Sequence, residues 1–155
     1  MTVDAFLCLG GNLGDRKQLM DDAVARLDAL PTTSVAARSS YYRTAPVGPV
    51  KQEWFLNIAV KLRTGLRRAE LLDALLEIET ALGRDRSKEI YFGPRTMDID
   101  LLGYDGILSV EERAFVLVPL AEIAAALIVD GRRLSDVVAG VGSEGVEKLD
   151  WPVPA

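Results

Sequence analysis

The segment from Phe92 to Gly103, which reads FGPRTMDIDLLG, restricts the fold more than any other part of the chain. Its second half alternates apolar and acidic residues, a pattern that predicts a β-strand. Because side chains of a strand point alternately to the two faces of its sheet, Asp98 and Asp100 leave one face, whereas apolar neighbours such as Ile99 leave the other. The strand therefore needs a covering layer on its apolar face and carries two adjacent carboxylates on the opposite face.

Two carboxylates this close repel each other, and burial would drive them towards protonation unless a cation neutralises them. Mg²⁺ is commonly held by one or two carboxylates together with substrate phosphates. Four cations, Arg84, Arg86, Lys88 and Arg95, lie just upstream in an otherwise acidic chain, and clustered cations bind phosphate groups. The combination predicts a magnesium and polyphosphate site. Taken alone, the acid pair and the charged run are each also compatible with solvated surface.

Composition excludes several classes of function. The 155 residues contain no histidine, which excludes imidazole bases, Ser-His or Cys-His pairs and the usual zinc sites. The single Cys8 lies between leucines, so we expect a buried structural thiol. A net charge of −5 and a pI near 4.8 argue against a nucleic-acid or anionic-membrane surface. With no bilayer-spanning run and no export signal, we expect a cytoplasmic protein.

Hydrophobic periodicity predicts the element order β-α-β-β-α-β within a single domain over residues 1–155, with a core over about 3–141 and a peripheral tail over about 142–155. The predicted strands and helices up to the acidic strand cover residues 2–9, 16–30, 35–43, 54–63 and 68–82. We expect Asp15 to cap the first helix. Beyond the turn at Asp105 and Gly106, the pattern suggests a fourth core strand at 115–118, a short helix from Pro119 to about 127 and a last helix over 132–141.

A series of motifs resembles the 6-hydroxymethyl-7,8-dihydropterin pyrophosphokinase family of folate biosynthesis. In chain order they are GGN at 10–12, YRTAPVG at 42–48, FLN at 55–57, GRDR at 83–86, GPRTMDID at 93–100 and RAF at 113–115. The resemblance implies an α+β fold with a ferredoxin-like βαββαβ core, in three α/β/α layers with helices on both faces of a mainly antiparallel sheet. It also implies transfer of pyrophosphate from ATP to the hydroxymethyl group of the pterin, with release of AMP.

The same resemblance implies roles for individual residues. Two Mg²⁺ ions would be bound by Asp98 and Asp100. The catalytic set would be Asp98, Asp100, Arg95, Arg84 and Arg86. The pterin would contact Gly10, Thr44, Ala45, Val47, Phe55, Asn57 and Phe115, with the two phenylalanines stacking on its ring. ATP would contact Glu79, Arg84, Arg86, Phe92, Arg95, Leu101 and Arg113.

The chain departs from the family pattern at Ala45, which replaces a proline common in the family, and in one connecting segment. Residues 107–112 form a connection shorter than usual, without the histidine that the family normally places there to contact ATP. This departure leaves a second hypothesis, a weakened or inactive homologue that binds pterin or nucleotide. A third, a ferredoxin-like RNA-binding module, conflicts with the acidity of the chain. The resemblance implies ATP and the pterin as partners, with no nucleic acid and no membrane, and leaves monomer and homodimer both open.

Overall fold

The computed structural model describes residues 1–46, 48–84, 87, 96–110 and 112–154. The helices there are α1 (Arg16–Asp28), α2 (Arg68–Ala81), α3 (Ala114–Ala124) and α4 (Leu134–Val141). The strands are β1 (Val3–Gly11), β2 (Thr33–Arg38), β3 (Tyr42–Thr44), β4 (Phe55–Thr64), β5 (Asp98–Tyr104), β6 (Ile107–Leu108), β7 (Ile128–Val129), β8 (Arg132–Arg133) and β9 (Val146–Lys148). None of these helices is long and apolar enough to cross a lipid bilayer.

Seven of the strands form one sheet in the order β6-β5-β1-β4-β3-β9, and β2 also pairs with β4. Each pairing in it is antiparallel. The first strand is central, as its apolar sequence predicts, and β5 and β4 flank it. Within the βαββαβ core, β2 and β3 together form the edge strand, and the order β5-β1-β4-β2/β3 is the ferredoxin-like one. The predicted α+β class is confirmed.

The two faces of the sheet are covered by different helices because residues alternate along β1. Leu7 and Leu9 belong to a buried cluster with α1 and α2, whereas Phe6 and Cys8 belong to a second cluster with α3 and α4. Full burial of one such aliphatic side chain contributes roughly 1.5–3 kcal/mol. Cys8 is a buried free thiol, as predicted.

Local signals place several boundaries correctly. Asp15 accepts a hydrogen bond from the Gln18 backbone N–H at 3.2 Å and caps α1. Asp105 and Gly106 have φ angles of 51° and 81°, the left-handed values of a two-residue hairpin turn, and they join β5 to β6. The predicted second strand is instead divided: β2 ends at Arg38 and β3 begins at Tyr42.

The prediction of a strand at 115–118 is wrong, because these residues lie in α3. Pro119 lacks a backbone N–H and was expected to begin a helix. The helix instead starts five residues earlier, and the backbone N–H of Leu117 donates to the Arg113 carbonyl at 2.9 Å. Leu117 and Leu120 are fully buried against the sheet. Burial of this face outweighs the backbone hydrogen bond that the proline removes.

The prediction of a peripheral tail is also wrong. Strand β9 pairs with β3 and extends the main sheet. Leu149 and Trp151 pack against the cluster that contains α1 and α2. Strand β9 has only three residues, too few for hydrophobic periodicity to detect. The prolines and polar residues elsewhere in the tail also do not suggest a strand.

Two adjacent leucines of α2 test the assignment of the core. Leu75 is 2% exposed and Leu76 is 50% exposed. Leu75→Ala is expected to lower the free energy of unfolding by about 2–5 kcal/mol, since it leaves a cavity in the core. Leu76→Ala should change it by no more than about 0.5 kcal/mol. Urea denaturation measures both, and equal effects would contradict this orientation of α2.

Candidate active site

Most of the described polar residues predicted for the site lie at one end of the sheet, on the face covered by α3 and α4. In the middle of this end, Gly10 of β1 pairs with Asp98 of β5 on one side and Asn57 of β4 on the other. Asn57 in turn pairs with Tyr42 of β3. We call Asp98, Gly10, Asn57 and Tyr42 the row. Leu9, next to Gly10, belongs to the cluster on the α1 and α2 side. The side chains of the row therefore point to the α3 and α4 face.

The two aspartates of β5 leave the sheet on this same face. Ile99 between them is 6% exposed and lies in the α1 and α2 core. Cys8, which pairs with Asp100, is on the aspartate side. Burial raises the pKa of its thiol, and the charges of Asp100 and Asp98 raise it further. The cysteine is therefore held as an inert thiol below the acid pair.

A buried ionic network supports the acid pair. The Arg84 guanidinium Nη1 lies 2.9 Å from Glu79 Oε2 and 3.0 Å from Asp98 Oδ1. Glu79 Oε2 also accepts the backbone N–H of Ile99 at 2.7 Å. The side chains of Arg84 and Glu79 are 4% and 3% exposed, so these contacts are desolvated. The network connects α2 directly to the strand that carries the aspartates.

The opposite side of the row is built by β3 and β4. Thr44 Oγ1 donates to Asn57 Oδ1 at 2.6 Å, and both side chains are buried. A Cβ atom at position 10 would collide with Asn57 Nδ2. Glycine at position 10 therefore leaves room for the Asn57 amide, which an alanine would displace. The result is a fixed group of hydrogen-bonding atoms beside the acid pair.

Both predicted stacking residues are half-buried and lie on the same side of the sheet as this group. Phe55 pairs with Thr44 across β3 and β4 and leaves β4 on the same face as Asn57. Phe115 is the second residue of α3 and packs against the cluster that contains Cys8. The site thus has aromatic surface from the sheet and from the helix that covers it.

The structure does not bring every predicted residue to this face. Leu101, predicted to contact ATP, leaves β5 on the other face and packs against the α1 and α2 cluster. Arg113 is an exposed residue that precedes α3. Ala45 is exposed at the end of β3, and its backbone N–H donates to the Gly145 carbonyl. The predicted residues Val47, Arg86, Phe92 and Arg95 lie outside the described residues.

One linking residue was missed from the sequence. Glu122 of α3 accepts a hydrogen bond from the Tyr42 hydroxyl at 2.6 Å and from the Ser40 backbone N–H at 2.8 Å. Burial and the neighbouring carboxylate raise the pKa of Tyr42. These contacts fix α3, which carries Phe115, to β3, which carries Thr44. Nothing local to position 122 indicates these partners, which lie 80 and 82 residues earlier in the chain.

The donor set fits a magnesium ion that shares its coordination with a substrate. Asp98 and Asp100 offer carboxylate oxygens, the ligands that Mg²⁺ prefers. Among the described residues there is no group of three or more His, Cys, Asp or Glu that could hold a metal by itself. A pair of carboxylates with room for phosphate oxygens and water is the usual magnesium arrangement at nucleotide sites.

Comparison with known protein families gives a consistent result. A family model described as 7,8-dihydro-6-hydroxymethylpterin-pyrophosphokinase (HPPK) matches residues 6–125. The 2-amino-4-hydroxy-6-hydroxymethyldihydropteridine pyrophosphokinase of Methylorubrum extorquens is 44% identical over a match that covers 94% of this chain and 98% of the relative. The protein of the same name from Bacillus subtilis is 42% identical over 130 residues, or 77% of each chain.

Solved structures share the fold at much lower identity. The HPPK-DHPS protein of Plasmodium falciparum with pteroate has a TM-score of 0.72 and 11% identity over 96% of this chain. Its A437G/K540E variant with pterin and p-hydroxybenzoate has a TM-score of 0.71 and 12% identity over the same share. The present chain spans about half of the length of those solved chains, 48% and 47%.

Two acids of α2 test the buried network. Glu79→Ala removes the partner of a buried guanidinium and is expected to lower the free energy of unfolding by about 3–5 kcal/mol. Glu77→Ala, two residues earlier on the exposed surface, should change it by no more than about 0.5 kcal/mol. Chemical denaturation of both variants gives the comparison. Equal, small losses would show that Glu79 is not needed to hold Arg84 and β5.

Proposed function

Since the chain belongs to the 7,8-dihydro-6-hydroxymethylpterin-pyrophosphokinase (HPPK) family, we infer that it transfers a pyrophosphoryl group from ATP to 6-hydroxymethyl-7,8-dihydropterin in folate synthesis. The pterin hydroxyl oxygen forms a bond to the β-phosphorus of ATP. The bond from that phosphorus to the oxygen bridging to the α-phosphate breaks, and AMP leaves with this oxygen. The proton of the hydroxyl passes to water or to a phosphate oxygen, since the chain has no imidazole to accept it.

We propose that Asp98 and Asp100 hold two Mg²⁺ ions. The observation that supports this is the placement of both acids on the α3 and α4 face, beside Gly10 and Asn57. When bound, magnesium neutralises phosphate charge and aligns the reacting oxygens. The pair lies within one strand of the proposed pterin contacts, so the acids can serve both substrates. ATP as phosphate donor also supports a cytoplasmic location.

The pterin is proposed to lie over the sheet end, between aromatic and polar groups. Phe55 and Phe115 supply apolar surface for a flat heterocycle, which stacking desolvates. The Thr44 and Asn57 side chains are hydrogen-bonded to each other, which fixes their positions at the sheet end. Binding to a preorganised group avoids the entropy lost when side chains are ordered on binding.

Arg84 is proposed to position the acids in addition to any contact with phosphate. Its guanidinium lies between Glu79 and Asp98. A fixed cation at this place balances part of the charge of the aspartate pair and orients Asp98. The proposed contacts of Arg86, Arg95 and Phe92 with ATP depend on the family resemblance alone. The shortened connection before Arg113 does not favour an inactive homologue, because the relatives at 44% and 42% identity are named as pyrophosphokinases.

Conservative substitution of the acids tests the metal site. Asp98→Asn and Asp100→Asn are each expected to lower kcat by on the order of 10²-fold or more, since metal stabilisation of the transition state is worth several kcal/mol. The rate of AMP release in the presence of ATP and the pterin, measured over a range of Mg²⁺ concentrations, gives kcat for each variant. Asp105→Asn, in the exposed turn after the same strand, is the matched control. Unchanged rates in both site variants would contradict the proposal, and ADP as product would contradict the reaction.

The glycine of the central strand gives a second test. Gly10→Ala forces the Asn57 amide away from β1 and is expected to raise the KM for the pterin about tenfold, the effect of one lost hydrogen bond of about 1.4 kcal/mol. The KM for ATP should change much less. Gly140→Ala, where an added Cβ meets nothing within 4 Å, is the control. An unchanged pterin KM in Gly10→Ala would remove Asn57 from the pterin site.

A further inference from the structure

The short strand β3 carries a pterin-binding residue but has little support of its own. It contains three residues, and its last residue, Thr44, is the partner of Asn57. An isolated edge strand of this length would leave its outer backbone groups unpaired and free to move. In this protein β9 covers that edge over the whole of β3, from the pair Tyr42 and Lys148 to the pair Thr44 and Val146.

Hydrogen bonding between the two segments continues past both ends of β3. The Leu149 backbone N–H donates to the Tyr41 carbonyl at 2.8 Å, before β3 begins. The Ala45 backbone N–H donates to the Gly145 carbonyl at 2.9 Å, after β3 ends. The segment 145–149 therefore fixes the backbone on both sides of Thr44, including the first residue of the loop that leads to β4.

Three aromatic residues connect the same segment to the start of β4. The Trp151 ring lies 5.5 Å from the Tyr41 ring and 6.5 Å from the Trp54 ring, measured between centroids. Tyr41 is fully buried, and both tryptophans pack against the α1 and α2 core. Trp151 thus contacts one residue on each side of the loop 45–53. We call Tyr41, Trp54 and Trp151 the aromatic clamp.

Polar contacts fix Trp54 in the clamp. Its ring lies under the guanidinium carbons of Arg16 at 4.3 Å and Arg43 at 5.0 Å, distances at which cation–π attraction operates. Arg16 Nε also donates to the Trp54 carbonyl at 3.2 Å. Asn12 Nδ2 donates to the Glu53 carbonyl at 2.9 Å. The residue directly before β4 is therefore held on several sides.

The clamp and the proposed pterin site lie on opposite faces of the same sheet edge. Trp54 and Phe55 are consecutive, so their side chains point to opposite faces, and the same alternation separates Tyr41 from Tyr42. Displacement of Trp54 would rotate or shift Phe55, because both share one stretch of backbone. Displacement of Tyr41 would shift Thr44 through β3.

We propose that Trp151, together with β9, is a positioning element for pterin binding, although it contacts neither substrate. This inference rests on the proposed placement of the pterin over Phe55, Thr44 and Asn57. The aspartates lie on β5, at the other side of β1 from β4 and β3. The effect of the clamp is therefore selective: it acts on the pterin and leaves ATP binding largely unchanged.

Substitution of Trp151 tests this selectivity. Trp151→Ala and Trp151→Leu remove the aromatic ring, and the leucine variant keeps apolar volume in case the alanine variant folds poorly. Each is expected to raise the KM for the pterin about tenfold, since loss of two aromatic contacts displaces both ends of the loop. The KM for ATP should change less than twofold. Trp151→Phe retains a ring and should restore most of the pterin affinity.

A matched core variant separates positioning from general destabilisation. Leu27 is fully buried at the end of α1, close in sequence to Thr33, which pairs with Thr64 at the far end of β4 from Phe55. Leu27→Ala should lower the thermal midpoint at least as much as the Trp151 variants without a change in the pterin KM. If it raises the pterin KM equally, or if Trp151→Leu leaves that KM unchanged, the positioning role is wrong.

A binding measurement keeps this test independent of turnover. Calorimetric titration of 6-hydroxymethyl-7,8-dihydropterin into the whole chain, in the presence of a non-hydrolysable ATP analogue and Mg²⁺, reads pterin affinity directly. The Trp151→Leu variant is expected to bind the pterin about tenfold more weakly, and equal affinities would overturn the proposal. Absence of AMP release by the unsubstituted chain would instead overturn the proposed function, and the titration would still decide the role of Trp151.

Discussion

The antiparallel register of β1 with its two neighbours is the constraint on which the rest of the site depends. It places Gly10 between Asp98 and Asn57, so that one strand separates the acid pair from Thr44 and Asn57, which are proposed to hydrogen-bond the pterin. A shift of β5 by one residue would send the aspartates into the α1 and α2 core and turn Ile99 out of it, and the same shift of β1 would turn Leu9 out of it. Burial of these apolar residues and the ionic character of the site therefore enforce the same register.

The two faces of the sheet have different roles: one contains most of the stabilising core, and the other carries the candidate site. The face towards α1 and α2 is apolar and contains most of the large buried side chains. The other face has an apolar part under α3 and α4 and a polar end that carries the site. Buried polar links join the layers there: Arg84 and Glu79 connect α2 to β5, and Glu122 connects α3 to β3. Breaking such a link leaves a buried charge without its partner, so the links fix the relative positions of the elements that carry the two proposed substrate sites.

The sequence predicts those parts of this arrangement that are determined by interactions between residues close together in the chain. Alternation along β5 places the two aspartates on one face, Asp15 caps α1, and Asp105 with Gly106 turns the chain between β5 and β6. The errors occur where distant packing decides. Helix α3 forms through Pro119 because its apolar face is buried, and β9 forms because β3 offers an unpaired edge. The sheet that covers α3 and the strand that pairs with β9 are both distant from them in sequence. The contacts of Glu122 and Trp151 are also with residues distant in sequence. Leu101 shows a different limit, since family resemblance assigns it to ATP whereas strand alternation turns its side chain to the opposite face.

The central claim is that Asp98 and Asp100 bind the metal ions that accompany ATP, one strand away from the pterin. A crystal structure of the chain with Mn²⁺, a non-hydrolysable ATP analogue and 6-hydroxymethyl-7,8-dihydropterin tests it most directly, because Mn²⁺ gives an anomalous signal. We expect anomalous peaks in contact with oxygens of both aspartates, and a pterin ring between Phe55 and Phe115. Bound nucleotide with its metal peaks away from both aspartates would contradict it.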